Sequence, residues 1–477
     1  MQLLFADQLG PHFDLGEEIL LPVVKSQFSK RAYHRQKAHL ILYALRARGV
    51  DKRVKLVELD SYRDLLADSR DITKLVNPTS YPFRRFAKEM SAEILPSRGF
   101  ASSERDWDNY ISSFKRLRLE DFYRQQRTRL GILMEGDGPV EGRWNFDSEN
   151  RLSPPASGTG VKLPWFPEEN EIDKGVREEL DELERKGVRF IGVDGPRRFA
   201  GSREEALLAL NWFIENRLDL FGPYEDAVDS REWTMSHSLL SAPMNLGLLD
   251  PIEVVRAAEK AYHEGKARIE SVEAFVRQII GWRDYVWHLY WHFGEDYVNS
   301  NALSADSPIP ASFNSLDGSE IKANCLKQTI DSVSEYGWVH HIPRLMILGN
   351  HALQRGYNPR QMNDWFIDAF VDGTPWVMPA NVIGMSLYAD GGKMSTKPYA
   401  AGGSYLSKMT NYCGDCPLNP KVRVGENACP FTAGYWKFLD ENQQLRSNHR
   451  MSNAFAGLKR LSDLEELREQ ESRRTSF

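Results

Sequence analysis

Four cysteines in this chain of 477 residues have the type and spacing to bind a metal. Cys413 and Cys416 are separated by two residues, Cys429 follows in the same stretch, and Cys325 lies far upstream. Thiolates at the first spacing can point at one ion, and the third is within reach. Four thiolates suit either zinc or an iron–sulfur cluster, and the proline that follows both Cys416 and Cys429 favours the cluster.

Two adjacent histidines have the chemistry to supply a proton. His340 and His341 lie between Trp338 and Arg344. Adjacent side chains on a helix point about 100° apart, so the two histidines would not easily bind one metal ion, although one of them could face a cavity as a proton donor. The alternative is an ordinary pair of surface histidines.

Other residues with suggestive spacing have simpler explanations. His288 and His292 are spaced like metal ligands on a helix, but no cysteine or carboxylate pattern nearby completes a site, so we expect them to pack. The segment 393–397, Lys-Met-Ser-Thr-Lys, looks like the signature loop of class I aminoacyl-tRNA synthetases, but the early His-x-Gly-His motif of those enzymes is absent. No phosphate-binding Gly-x-x-x-x-Gly-Lys-[Ser/Thr] loop occurs either.

The N-terminal 130 residues alternate between short strand patterns and helix patterns. Residues 3–6, 54–59 and 72–76 have the composition of strands, and residues 38–48 carry apolar side chains at helical spacing. This alternation predicts an α/β domain, a parallel sheet covered by helices, in which ligands bind beyond the carboxyl ends of the strands. Asp7 and Gln8 lie at such an end and are candidate ligand-binding residues.

The rest of the chain divides into a linker and a helical region. Residues 131–200 contain glycine and proline at a density that regular elements rarely tolerate, which predicts an interdomain linker. Ser202 and Glu205 fit a capping box that opens a helix. The later patterns are helical, so we predict an α/β domain over 1–130, the linker over 131–200 and a larger all-α domain over 201–477.

Composition limits the classes of protein to consider. Hydrophobic residues make up 41% of the chain, and no apolar run approaches the roughly 18 residues of a membrane span. We expect no membrane contact, a cytoplasmic location and a monomer. The net charge of -6 argues against a histone-like binder of polyanions. A local basic groove remains compatible with that total if the acidic segment 168–184 lies elsewhere; its candidates are Lys25, Lys30, Arg31, Arg35 and Lys37.

Taken together, these motifs resemble the photolyase and cryptochrome flavoproteins, and specifically the bacterial iron–sulfur class that includes bacterial (6-4) photolyases. The resemblance covers nearly the whole chain. It is carried by the spacing of the four cysteines and by the segments 143–147, 338–346, 365–373, 396–399 and 409–413. It implies that the cysteines hold a 4Fe-4S cluster.

The resemblance also implies two further cofactors. The N-terminal domain would bind an antenna chromophore, 6,7-dimethyl-8-ribityllumazine in this class. The helical domain would bind a U-shaped FAD, with the pyrophosphate near the serine-rich segment 238–241 and the isoalloxazine ring beside a buried arginine and its carboxylate partner. The matching flavin-side residues are Ser238, Leu240, Ser241, Arg283, Arg344 and Asp372.

His341 occupies the position that indicates the substrate. By resemblance that position is asparagine in photolyases for cyclobutane dimers and histidine in (6-4) photolyases. Repair of a (6-4) product must return a hydroxyl between two bases, which requires a proton as well as an electron. The resemblance therefore implies repair of UV-damaged DNA with His341 as proton donor and His340 as its support. It also places Tyr399 and Tyr405 near the lesion, and Trp365 on the path of electrons to the flavin.

The chain departs from the resembled pattern at two positions. Met378 stands where photolyases often place a polar residue near flavin N5, and Leu345 stands where animal (6-4) enzymes have a second lesion-side histidine. The sequence leaves two alternatives open. One is a cryptochrome-like blue-light photoreceptor, and the other is a photolyase for cyclobutane dimers.

Overall fold

The N-terminal region folds around a five-stranded parallel sheet. The computed structural model describes residues 1–67, 71–475 and 477. The strands lie in the order β3-β2-β1-β4-β5 and all pair in parallel. They are β1 (Gln2–Leu3), β2 (Ile19–Val23), β3 (Val54–Glu58), β4 (Lys74–Val76) and β5 (Glu93–Leu95). The predicted parallel sheet is confirmed, and its order reverses between β1 and β4, which opens a crevice beyond their carboxyl ends.

Helices make up most of the remaining structure. They are α1 (Arg35–Arg48), α2 (Asp64–Ala67), α3 (Tyr81–Glu89), α4 (Glu104–Ser113), α5 (Leu119–Leu130), α6 (Glu171–Arg185), α7 (Arg203–Asn216), α8 (Leu218–Phe221), α9 (Ser241–Asn245), α10 (Pro251–His263), α11 (Ile269–Val276), α12 (Asp284–Phe293), α13 (Ala311–Ser315), α14 (Asn324–Tyr336), α15 (Asn350–Arg355), α16 (Pro359–Ala369), α17 (Gly403–Met409), α18 (Pro430–Glu441), α19 (Ser452–Leu458) and α20 (Leu464–Arg473). A short hairpin joins β6 (Met134–Glu135) to β7 (Gly138–Pro139). No helix among the described residues has the length and apolarity to cross a bilayer.

Three π-helical segments interrupt the helical region. They span Arg277–Arg283, Pro343–Gly349 and Ala380–Ser386. The first joins α11 to α12, so these two helices continue as one helix with a wider turn inside it. Such segments are rare and frequently lie at functional sites.

Helix α6 occupies part of the predicted linker. It begins with a reciprocal capping box between Asn170 and Asp173. By contrast, the box expected at α7 forms only in part. The Ser202 hydroxyl accepts a hydrogen bond from Glu205 N at 3.2 Å, whereas the Glu205 carboxylate accepts from Gly201 N at 2.8 Å. That carboxylate also binds Arg197 across the loop, which explains why it does not turn back to Ser202.

The acidic helix α6 packs against the early basic residues, so the expected separation of these residues from the acidic segment 168–184 is wrong. Arg35 pairs with Asp181 at 2.5 Å and with Glu184 at 2.7 Å, and Lys25 pairs with Glu179 at 3.0 Å. Arg31 pairs with Asp364 and Asp368, and Lys37 is buried. Lys30, by contrast, is exposed. Opposite charges that are close in space neutralise each other, so most of this cluster does not offer charge to a polyanion.

A buried ion pair attaches the last helix to the core. Arg355 Nη1 lies 2.5 Å from Glu471 Oε2, and the two side chains are 5% and 0% exposed. We expect Glu471→Ala to lower the free energy of unfolding by about 3–5 kcal/mol, because it leaves Arg355 buried without its partner. Thermal unfolding would measure this. Glu441→Ala, which removes an exposed i,i+4 pair with Lys437, is the control and should cost about 1 kcal/mol or less. Equal effects of the two changes would contradict the expectation.

Candidate active site

A bidentate ion pair joins two residues that the sequence placed beside one ligand. Arg344, in the second π-helical segment, binds Asp372 through Nη1–Oδ1 at 2.9 Å and Nη2–Oδ2 at 3.1 Å. Ser241 Oγ, at the start of α9, donates to Asp372 Oδ2 at 2.7 Å. Arg344 Nε donates to the Val339 carbonyl at 2.6 Å, so the guanidinium plane is fixed from both sides. The structure thus brings Ser241, Arg344 and Asp372 into direct contact.

The loop that carries Asp372 is held by the N-terminal domain. Lys37 of α1 donates from Nζ to the Gly373 carbonyl at 2.6 Å and also to the Ile367 carbonyl. Burial lowers the pKa of Lys37 to about 7. A side chain at Gly373 would meet backbone, because its Cβ would lie 2.5 Å from Phe366 O. The position of Asp372 therefore depends on a residue more than three hundred positions upstream.

Two further candidates for flavin binding, Ser238 and Arg283, make hydrogen bonds to the backbone. Ser238 Oγ accepts a hydrogen bond from Leu240 N at 3.3 Å, and the intervening Leu239 adopts a left-handed φ of 58°. Arg283, at the end of the first π-helical segment, donates to Gly99 O at 2.7 Å. Burial lowers the pKa of Arg283 to about 10, and its Nε atom is buried without a partner.

Three histidines form a cluster near the Arg344 pair. The rings of His237 and His340 stack with centroids 4.5 Å apart, and the His341 ring lies 5.6 Å from the first and 5.7 Å from the second. His341 Nε2 lies 3.0 Å from Asp226 Oδ1. His340 is 3% exposed, whereas the His341 side chain is 47% exposed. Only His341 therefore combines a carboxylate partner with access for a substrate.

Electrostatics assign the proton to His341. Burial alone would lower its pKa, but the hydrogen bond to Asp226 and the charges of Asp226 and Glu225 outweigh burial and raise the pKa of His341. Burial, together with the charge of His341, holds the pKa of His237 and of His340 well below the usual range. Burial also raises the pKa of Glu225 to about 7. Of the three histidines, His341 is thus the one whose protonated form is favoured.

The predicted aromatic residues lie at different distances from this cluster. Burial, followed by the charge of Asp226, raises the pKa of Tyr405 to about 12. Tyr399 is 40% exposed, and no hydrogen bond to the histidines is present in the described part of the chain. Trp365 donates from Nε1 to Phe313 O at 2.8 Å, and its ring lies 5.8 Å from Phe370. Phe370 in turn lies 4.2 Å from the Arg344 guanidinium carbon.

The four cysteines lie close to one another in the helical region. Cys325 is in the first turn of α14, and Cys429 caps α18, so two thiolates lie at positive helix ends. Burial, followed by the charges of the other three cysteines, raises the pKa of Cys325 well above the usual range. Cys416 Sγ accepts a hydrogen bond from Asn324 N at 3.5 Å. No three of these sulfurs lie within 4.8 Å of one another in the described chain.

The N-terminal candidates lie at the crevice where the strand order reverses. Asp7 follows β1 and accepts a hydrogen bond from Thr79, which follows β4. Gln8 is buried and donates from Nε2 to Val76 O at 3.2 Å, so its side chain ties the ends of the two strands together. Burial raises the pKa of Asp7. This crevice is the standard ligand position in such sheets.

Sequence reasoning missed two members of the histidine site and correctly set aside another histidine. His237 and Asp226 lie more than a hundred residues before His341, and neither belongs to a recognisable motif. The adjacency of His237 to the serine-rich segment was the only available signal. His288 packs as expected, since its ring stacks on Trp107 at 5.0 Å and binds the Ser102 hydroxyl at 2.9 Å.

Comparison with known proteins identifies relatives of the whole chain. A (6-4) photolyase from Agrobacterium fabrum is 37% identical over 492 residues, which cover 97% of this chain and 96% of that protein. A family model described as deoxyribodipyrimidine photo-lyase-related protein matches residues 3–193.

Two solved structures share the fold. A bacterial class III photolyase from Agrobacterium tumefaciens superposes with a TM-score of 0.55 at 16% identity, over 84% of this chain and 81% of that one. A cryptochrome from Synechocystis superposes with a TM-score of 0.56 at 12% identity, over 82% of each chain.

Proposed function

The chain belongs to the photolyase and cryptochrome family, and from this premise we propose that it is a (6-4) photolyase that repairs UV-damaged DNA with light. The observation that carries the proposal is the 37% identity to a (6-4) photolyase across 97% of the chain. The site supports it, because His341 is an accessible histidine with a carboxylate partner. We propose that the enzyme holds DNA through phosphate contacts and flips the lesion into the pocket beside His341.

The residues around Arg344 fit FAD. Arg344 and Asp372 form a flat, charged pair, Ser241 adds a hydroxyl, and the ring nitrogen Nε1 of Trp338 is buried without a hydrogen-bond partner. Unpaired buried donors are costly, which favours a polar ligand against them. Reduced FAD, when bound, supplies the electron that blue light drives into the lesion. Ser238, Leu240 and Arg283 are the further residues that we propose to line this ligand.

The protein's own contribution to the reaction is proton transfer and orientation. We propose that His341 donates from its imidazolium to the hydroxyl that must move between the two bases. Asp226 holds that ring and its charge, and His340 packs against it. Tyr405 and Tyr399 would face the lesion. Trp365 would pass electrons toward the flavin through Phe370, which separates it from Arg344.

The cysteine site fits an iron–sulfur cluster better than a single zinc ion. Four thiolates around one zinc, at about 2.3 Å each, would lie about 3.8 Å apart. The four sulfurs are neighbours, but no three of them, among the described residues, lie within even 4.8 Å of one another. We propose that Cys325, Cys413, Cys416 and Cys429 hold a 4Fe-4S cluster, which would stabilise the fold by joining α14 to the segment before α18.

The crevice between β1 and β4 supports an antenna chromophore. We propose that a ribityl lumazine binds there, beside Asp7 and Gln8, and that residues 1–130 form the antenna domain. Residues 131–200 would then link this domain to the catalytic domain, 201–477. Lys37 and α6 show that contacts between these parts of the chain are extensive. A ligand in this crevice would be held rigidly relative to Arg344.

The pH dependence of repair follows from the raised pKa of His341. The group acts while protonated, so repair should be fastest below its pKa and decline as pH rises through it. We expect Asp226→Asn to move this decline to lower pH, because the variant loses the charge and the hydrogen bond that raise the pKa. Single-turnover repair across pH would measure the shift. An unchanged profile would exclude His341 as the titrating donor.

The decisive experiment uses two damaged oligonucleotides, one with a (6-4) product and one with a cyclobutane dimer. Prereduced protein is illuminated with blue light, and a dark sample is the control. We expect light-dependent restoration of the (6-4) strand alone. Restoration of the dimer alone would indicate the other photolyase activity. Restoration of neither by protein that holds reducible FAD would indicate a cryptochrome-like photoreceptor.

A further inference from the structure

The geometry points to a transition-metal site formed by His237, His340 and His341, which we propose binds Zn²⁺. One nitrogen from each ring lies within 4.8 Å of the other two. The Nε2 atoms of His237 and His340 are buried without partners. The inference goes beyond the proposed function, and only its effect on repair rests on that function.

The ring positions match three ligands of one ion. Imidazoles that bind at about 2.1 Å have their centres about 3.2 Å from the metal, so two rings at a right angle lie about 4.6 Å apart and two rings at 120° about 5.6 Å apart. The observed separations are 4.5, 5.6 and 5.7 Å. The separations of the ring centres are therefore those of three ligands of one ion. The planes of His237 and His340 lie 21° apart, so one of these two rings would turn to direct its nitrogen at that ion.

The sequence argument against a shared ion does not apply to the folded chain. It assumed that His340 and His341 lie on one helix and point about 100° apart. In the structure, His340 lies in the extended segment before the helix, and His341 is the first helical residue. This change of backbone conformation allows both rings to converge with His237, which comes from another part of the chain.

Carboxylates and a backbone carbonyl hold the histidine rings of the cluster, as the outer partners of metal-binding histidines do. His341 binds Asp226 through Nε2, which leaves Nδ1 for an ion, as in carboxylate–histidine–zinc sites. The His237 ring hydrogen-bonds to the backbone carbonyl of Glu225. The carboxylates of Asp226 and Glu225 supply negative charge, and the positive charge of Arg344 is compensated by Asp372.

The ligand atoms determine the class of ion. Imidazole suits zinc, copper and nickel, whereas magnesium and calcium prefer oxygen ligands. An ion at this site would occupy the nitrogen with which His341 faces the pocket. Zinc should therefore inhibit repair in competition with the lesion, and a chelator should restore it.

Zinc binding by the intact protein in the dark tests the site directly. The holoprotein, His237→Gln and Asp226→Asn are dialysed against buffered free Zn²⁺, and zinc and iron are measured in the same samples. We expect the parent to bind one zinc ion more than His237→Gln at equal iron content, and Asp226→Asn to bind it about 10- to 100-fold more weakly. His449→Gln, an exposed histidine outside the cluster, should match the parent.

Two outcomes would overturn the proposal. One is equal zinc binding by the parent and both cluster variants. The other is zinc uptake accompanied by loss of iron, because the ion would then be at the cysteines. Flavin absorption and thermal unfolding show whether each variant is folded. Since neither DNA nor light is used, an absence of repair activity would not affect this test. With repair as a second readout, the zinc concentration that halves the rate should be at least about tenfold higher for His237→Gln than for the parent.

Discussion

His341→Asn is expected to slow repair of the (6-4) product by about 10²- to 10⁴-fold, the usual contribution of a positioned general acid. Asparagine is close to histidine in size and can still hydrogen-bond to Asp226, but it cannot donate a proton in the same way. FAD content should remain unchanged, because the Arg344–Asp372 pair does not include His341. Single-turnover repair by prereduced protein under saturating light would measure the loss.

The control for this variant is His292→Asn, which changes a histidine that lies against Trp107, outside the cluster. It should repair at close to the parental rate. A loss of less than about tenfold in His341→Asn would show that another group, or water, supplies the proton.

Cys325→Ser is expected to have the largest effect on the folded protein. The residues between α17 and α18 contain little regular structure, and we propose that the cluster connects them to α14. Metal binding of this kind contributes free energy directly to folding, about 10 kcal/mol or more for structural zinc in small domains. We therefore expect loss of iron and a large fall in soluble yield, measured by metal analysis and by centrifugation of lysates.

Leu326→Met is the matched control for that variant. Leu326 is buried next to Cys325 on the same helix, and a volume-conserving change there should cost less than about 1.5 kcal/mol and leave iron in place. A stable, fully active Cys325→Ser protein without iron would refute a structural role for the cluster.

The sequence predicted elements whose periodicity is strong and missed those whose pattern depends on context. Strand β3 and helix α1 lie where the patterns placed them. Strand β2 was not predicted, because all its residues are buried and do not alternate, and because it contains Pro22. The structure explains the proline, since pairing of β2 with β1 ends at Leu20 and leaves no ladder partner on that side.

The site was predictable only where residues belong to contiguous motifs. Arg344 and Asp372 lie in recognisable segments, and the structure joins them at 2.9 Å. The partners His237 and Asp226 are brought to His341 by tertiary packing, which a single sequence does not reveal. The pairing of the basic cluster with the acidic segment was missed for the same reason, because the charges of Lys25 and Arg35 are compensated by a helix more than a hundred residues away.

The π-helical segments determine what a single-residue deletion would do to the fold and to the site. A π-helical turn closes between residues five apart rather than four, so removing one residue from Pro343–Gly349 would let the backbone relax into an ordinary α-helix with its hydrogen bonds intact. An α-helix advances about 100° per residue and a π-helix advances less, so the shortened α-helical segment would span nearly the same rotation as the seven π-helical residues. The flanking helices would therefore keep their orientation, and the displacement would fall on the segment itself. Arg344 lies inside that segment, so a single-residue deletion there should be tolerated by the fold while it moves the Arg344 side chain away from Asp372.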